Sequence, residues 1–220
     1  MMQVVERPDL QAMRRDYETA ALSEEDLAPT WLEQFERWLA DAVAGGEAEP
    51  NAVIVATAGA DGRTGARTVL LKHVDDRGFV FNTNYASRKG REVAENPRAS
   101  LVFPWLDVRR QVVVDGSVVR VSPEEADAYF ATRPREARIS AHASPQSEVV
   151  GSREALQRLR DETAARFPDD ADVPRPENWG GLRVVPDAVE FWQGRANRLH
   201  DRLRYRLDES GAWVVERLAP

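Results

Sequence analysis

The feature that most limits how this chain can fold is the stretch 52–83, where three apolar segments are punctuated by tight-turn residues. Segments 52–57 and 66–74 flank Asp61-Gly62, and Asp76-Arg77-Gly78 leads straight into segment 79–83. An Asp-Gly pair supplies the positive backbone angles that hairpin turns demand, so the pattern predicts three consecutive antiparallel strands.

The rest of the chain extends this theme. Strands are expected at 98–105 and 110–121, and three more near 182–193, 198–207 and 212–218. Helices fall between them. Trp31, Phe35, Trp38, Leu39 and Ala42 recur at helical spacing over 30–43, and Gly45-Gly46 ends that helix. A short helix at 87–95 starts on Ser87 as N-cap and stops at Asn96-Pro97. Ser122-Pro123-Glu124-Glu125 combines an N-cap, a proline at the first helical position and a capping-box glutamate, opening a helix through 132. Another helix covers 152–167, and the stretch 168–176, rich in proline and aspartate, reads as a surface loop. Strands outnumber helices and hairpin turns join most of them, so a closed or nearly closed antiparallel barrel with peripheral helices is expected as one domain over 1–220. Neither a G-x-G-x-x-G nor a Walker loop is present, which disfavours a nucleotide-binding α/β sheet.

Charge narrows the partners. The net charge is −7 at pH 7 and the pI about 5.2, so no general attraction to nucleic acid or to an anionic membrane is expected. The chain has no cysteine, which removes disulfides, thiolate nucleophiles and cysteine metal sites. Residues 1–10 lack the apolar run of a signal peptide and no segment resembles a membrane span, so a cytoplasmic protein is expected.

Basic residues must therefore act locally. If 198–206 is a strand, Arg198, His200 and Arg202 share one face and Leu199 and Leu203 the other, with Trp192 within reach across a turn containing Gly194. That surface suits a planar anionic ligand. Ser87-Arg88-Lys89-Gly90 places two cations at a helix start, where free N–H groups already favour a phosphate. Arg67 and Lys72, five residues apart, face opposite sides of a regular strand and serve either two anions or one anion and one salt bridge. Tyr129 and Arg133, one helical turn apart, suit a second phosphate or are simply a packed phenol and a surface cation. Arg14 and Tyr17 say little alone, and His73 and His142 lack partners at metal-ligand spacing, so no metal site is expected.

Together, Arg14-Arg-Asp-Tyr17, Arg67-Thr-Val-Leu-Leu-Lys72, Ser87-Arg-Lys-Gly90, Phe103-Pro-Trp105, Arg110-Gln111, Tyr129-Phe-x-x-Arg133-Pro, Ser144-Pro-Gln146-Ser147, Trp179-Gly-Gly181, Glu190-Phe-Trp-Gln-Gly194, Arg198-Leu-His-Asp-Arg202 and Arg217-Leu-Ala-Pro220 resemble the pyridoxine (pyridoxamine) 5′-phosphate oxidases. The resemblance is collinear from about residue 14 to the last. It implies an FMN-binding split barrel, mainly β, working as a homodimer with FMN at the subunit interface. The implied FMN site comprises Arg67, Thr68, Val69, Leu70, Leu71, Lys72, Asn82, Thr83, Arg88, Lys89, Gln111, Gln146, Ser147, Trp192 and Arg202. The substrate phosphate would meet Lys72, Tyr129 and Arg133. Arg198 and His200 would act on the pyridine ring and its substituents, and Arg14 with Tyr17 would close over the site within a mobile lid formed by residues 1–25. The implied reaction oxidises pyridoxine or pyridoxamine 5′-phosphate to pyridoxal 5′-phosphate, with O2 as acceptor and hydrogen peroxide as product. A related oxidase acting on a phenazine-type ring, and a non-catalytic carrier of FMN or pyridoxal phosphate, are the alternatives.

The resemblance also has gaps. Ala137 replaces a serine that usually offers a hydroxyl to the substrate phosphate, Ser140 and His142 replace a glycine and a tryptophan, and Asn82 stands where a tyrosine is common. Losing one such hydrogen bond costs on the order of 1–3 kcal/mol, so weaker phosphate affinity or an altered substrate is expected, with 137–142 a loop whose order is open.

Overall fold

The hairpin pattern of 52–83 closes into a barrel. A computed structural model of the chain describes residues 9, 10, 17, 21–168 and 170–220. Eight strands form one antiparallel sheet: β1 (Ala52–Ala58), β2 (Thr64–Asp75), β3 (Gly78–Asn84), β4 (Arg98–Trp105), β5 (Arg110–Arg120), β6 (Trp179–Gln193), β7 (Asp201–Leu207) and β8 (Trp213–Arg217). Their order is β3-β2-β1-β4-β5-β6-β7-β8, and β3 also pairs with β6, so β1 to β6 make a closed six-stranded barrel.

The long strand β6 organises the molecule. Its first residues pair with β3, from Trp179 opposite Asn84 to Val184 opposite Phe79. Its last residues pair instead with β7, from Ala188 opposite Arg206 to Gln193 opposite Asp201. One end of β6 therefore shuts the barrel while the other carries the β7–β8 ribbon outward.

Alternation sets the core. In β4, Ala99, Leu101, Phe103 and Trp105 are buried while the residues between them are not, and Val112, Val114 and Val118 of β5 do the same. The helix α1 (Trp31–Ala44) is N-capped by Thr30, whose hydroxyl accepts from the Glu33 N–H, and it drops its aromatic stripe onto the barrel. Phe35, with no exposed surface, meets Phe79 edge-on at 4.9 Å and Phe103 at 5.0 Å, and Trp38 meets Phe191 at 5.2 Å. Emptying the Phe35 site would cost about 3–5 kcal/mol.

The other helices are α2 (Arg88–Glu95), α3 (Pro123–Ala131), α4 (Arg135–Ala143) and α5 (Arg153–Ala165). Helix α4 occupies the stretch read as a loop at 137–142. It is held by Arg135, which donates to the carbonyls of Phe167, Pro168 and Ala171 and so fastens α4 to the chain leaving α5. The imidazole of His142 packs on Phe167 at 5.0 Å and bonds the Pro174 carbonyl.

Residues 22–28, in part within the stretch expected to be a lid, are fastened to the ribbon. The Leu22 N–H donates to Asp201, and Arg217 bonds both the Leu22 carbonyl and Glu24. Among the described residues, no helix is long and apolar enough to cross a membrane.

Candidate active site

Cationic and aromatic side chains gather in two places. The first lies where α2 meets β3. Ser87 caps α2 by accepting from the Gly90 N–H, and Gly90 is required there because a β-carbon would fall 2.1 Å from the Tyr85 carbonyl oxygen. The Lys89 ammonium donates to Thr83 Oγ1 at 3.0 Å and to Gln146 Oε1 at 3.0 Å, both uncharged partners. Burial, and then the Arg67 guanidinium nearby, lower the Lys89 pKa, with Glu92 acting against them. The Arg88 N–H donates to Ser147 Oγ at 3.1 Å, and Ser147 itself is held at φ 76°. Arg67, Thr83, Arg88, Lys89, Gln146 and Ser147 are thus brought together.

Beside this cluster, Lys72 sits at a register shift in the β2–β3 pairing between Leu71 and His73. With Asn82 and Tyr129 it lines a cavity of about 350 Å³. Tyr129 stacks on Trp179, nearly parallel at 6.2 Å, and the Arg133 guanidinium lies over the same indole at 4.6 Å. Nη1 of Arg133 is buried with no hydrogen-bond partner among the described residues, and burial pushes the guanidinium pKa down. A buried cationic donor without an acceptor is costly, and a phosphate is the kind of group that removes the cost.

The second gathering is at the far end of β6. Gln111 and Trp192 are direct partners across β5 and β6. Tyr17, Leu106, Arg109, Arg110, Gln111 and Trp192 line a cavity of about 310 Å³. Trp192 and His200 lie 4.6 Å apart, Tyr17 meets the indole edge-on at 6.2 Å, and Arg109 sits over the Tyr17 ring at 5.6 Å. Arg14 lies outside the described residues.

One expectation fails here. The strand expected from 198 begins only at Asp201, because Asn197 and Arg198 both take left-handed backbone conformations, at φ 55° and 62°. Arg198, His200 and Arg202 therefore do not share a strand face. Arg198 stands on a tight turn, its guanidinium without an ion pair or hydrogen bond among the described residues, and Leu199, expected on one face with Leu203, is 73% exposed while Leu203 is buried. Arg202 is on the strand, but its guanidinium is committed to both oxygens of Glu190, at 2.8 and 2.9 Å, and to the Ala219 carbonyl.

Two residues escaped the reading of the sequence. Glu92, a buried carboxylate, accepts from Arg67, Arg88 and Thr57, and its i,i+4 spacing from Arg88 was the available signal. Arg109 reaches Tyr17 only through tertiary folding, and no local pattern marks it.

The chain also has clear relatives. A family profile described as pyridoxamine 5′-phosphate oxidase matches residues 39–165, and one described as the pyridoxine 5′-phosphate oxidase C-terminal dimerisation region matches residues 179–220. The pyridoxine/pyridoxamine 5′-phosphate oxidase of Frankia alni is 57% identical over 97% of this chain and 90% of its own length. That of Cupriavidus necator is 51% identical over 94% of this chain and 97% of its own. Among solved structures, PhzG from Burkholderia lata, crystallised with tetrahydrophenazine-1-carboxylic acid, is similar at a TM-score of 0.84 and 34% identity, covering 92% of this chain and 99% of that one.

Proposed function

Because the chain belongs to the pyridoxamine 5′-phosphate oxidase family, we propose that it oxidises pyridoxine 5′-phosphate or pyridoxamine 5′-phosphate to pyridoxal 5′-phosphate as an FMN-dependent homodimer in the cytoplasm. The observation that carries this reading is a pair of adjacent anion-binding groups. Thr83, which bonds Lys89, and Asn82, which lines the Lys72 and Tyr129 cavity, are consecutive on β3. A phosphorylated substrate beside a phosphorylated cofactor needs such a pair.

The donor set fits FMN. Arg67, Arg88 and Lys89 put three cations against the single buried carboxylate of Glu92, a surplus that a phosphate dianion neutralises. Trp192 and Gln111 offer an aromatic face and an amide for a flat heteroaromatic ring. When bound, FMN would supply the two-electron acceptor, with O2 as the final acceptor and hydrogen peroxide as product.

The chain's own residues grip and orient. Lys72, Tyr129 and Arg133 hold the substrate phosphate away from the reacting carbon, and each charge-assisted contact contributes about 1.5–3 kcal/mol. Arg198 and His200 bear on the substituent at the reacting carbon, where His200 presents a ring N–H to its oxygen or nitrogen. Tyr17 lies against His200 at 5.9 Å and excludes water from that side.

Two copies are needed for this. Thr83 pairs with Gly180, and Trp192 lies twelve positions further along β6, roughly 40 Å of extended strand. A single small cofactor does not bridge that span within one chain. Pairing the Lys89 end of one chain with the Trp192 end of another assembles a complete site, in keeping with the dimerisation region matched at 179–220.

The test is an aerobic assay of the FMN-loaded protein with pyridoxamine 5′-phosphate and pyridoxine 5′-phosphate, following pyridoxal 5′-phosphate and peroxide together. Equal formation of both is expected. Bound FMN without product from either substrate would overturn the assignment.

A further inference from the structure

Glu92 is 8% exposed and lies on the inner side of α2, among cations. One of its oxygens accepts from Arg67 Nη2 at 3.1 Å and from the Thr57 hydroxyl; the other accepts from Arg88 Nε at 2.6 Å. The same Thr57 hydroxyl accepts from Arg67 Nη1, which also donates to the Val55 carbonyl. Arg88 Nη2 is tied to the Thr64 carbonyl. Arg67 Nε and Arg88 Nη1 are left without acceptors among the described residues, and Lys89 is left to the neutral oxygens of Thr83 and Gln146.

We propose that Glu92 is a positioning residue for the phosphate end of the cofactor, holding the Arg67 and Arg88 guanidiniums so that their remaining N–H groups and Lys89 face one bound dianion. The inference rests on the FMN reading of this site. Three cations this close repel one another, and long side chains released from a partner swing into water. A carboxylate offers acceptors on both oxygens, so one residue fixes two guanidiniums at once. Burial alone would raise the Glu92 pKa, but the hydrogen bonds from Thr57, Arg88 and Arg67 outweigh it and hold the carboxyl below its ordinary value. A glutamine of the same shape has only one acceptor, and its amide N–H group would confront a guanidinium donor.

Flavin fluorescence titration of the full chain, freed of bound flavin, tests this with FMN and with riboflavin, which has the same ring and no phosphate. The wild type should prefer FMN. Glu92→Gln should weaken FMN at least tenfold and leave riboflavin within twofold, collapsing the preference. Thr57→Val, which removes one donor to the carboxylate and should fold even if Glu92→Gln does not, should give a smaller loss confined to FMN. If either variant weakens both flavins by the same factor, or leaves FMN binding unchanged, the proposal is overturned. A wild type that does not distinguish FMN from riboflavin would overturn the cofactor reading, and this proposal with it.

Discussion

The imidazole of His200 accepts at Nδ1 a hydrogen bond from the backbone N–H of Arg195, 3.0 Å away. A ring nitrogen that accepts carries no proton, so neutral His200 holds its hydrogen on Nε2 and can donate from that atom. Asparagine keeps an acceptor near the Nδ1 position and loses the Nε2 donor. His200→Asn should therefore keep the wild-type melting temperature within about 2 °C while lowering kcat/KM about ten- to a hundredfold. Steady-state kinetics beside a thermal melt check it; a variant with unchanged kinetics would remove the donor role.

The guanidinium of Arg133 has a buried Nη1 with no partner among the described residues, and its charge rests on the Trp179 ring. Lysine keeps the charge but lacks the planar fork. Arg133→Lys should raise KM for pyridoxine 5′-phosphate roughly 10- to 100-fold with little change in kcat, the signature of lost uniform binding. Equal falls in kcat and kcat/KM would mean that Arg133 acts on the reacting carbon instead.

How much of this was open to a reader of the sequence follows the range of the interactions involved. Turn residues and apolar alternation are local, so Asp61-Gly62 and the inward series of β4 announced the barrel. The start of β7 was misplaced because nothing local in Asn197-Arg198 required two left-handed residues; that kink lets His200 reach Trp192. Helix α4 was hidden for a similar reason. It is secured by Arg135 reaching carbonyls more than thirty residues away. Arg202 reads as a free cation until Glu190, its neighbour across the β6–β7 ladder, is seen holding it.

Tyr205 ties the ribbon to the segment before α1 through a 2.6 Å bond from its hydroxyl to the Ala28 carbonyl. Burial pushes its pKa up to about 12 from an ordinary 10. The folded state then holds this proton more tightly than the unfolded state, so its stabilising effect is complete below about pH 10 and is lost as pH rises toward 12. Urea unfolding of the wild type and Tyr205→Phe should show the wild type more stable by about 1 kcal/mol at pH 8, the gap shrinking between pH 10 and 12. A gap that does not change with pH would show that the phenol is not the titrating group.

The separation of the Lys89 and Trp192 clusters along β6 makes a prediction that neither cluster makes alone. Lys89→Ala disables one half of every site in its homodimer, and Trp192→Ala disables the other half in its own, so each variant alone should be nearly inactive. In a mixed dimer built across the interface, one site receives both defects and the other receives neither. Random reassociation of equal amounts makes about half of the dimers mixed, each with one intact site, so activity should return to about a quarter of the wild-type value. Denaturing and refolding the two variants together, and then assaying pyridoxal 5′-phosphate formation against each refolded alone, measures this. Recovery near a quarter requires the site to be shared between chains. No recovery from a mixture shown to contain mixed dimers would mean that one chain completes its own site, and the roughly 40 Å of β6 between Gly180 and Trp192 would then have to be bridged by a fold-back of the strand, which its antiparallel pairing with β5 from Leu182 to Gln193, shifted in register only once near Asp115, does not allow.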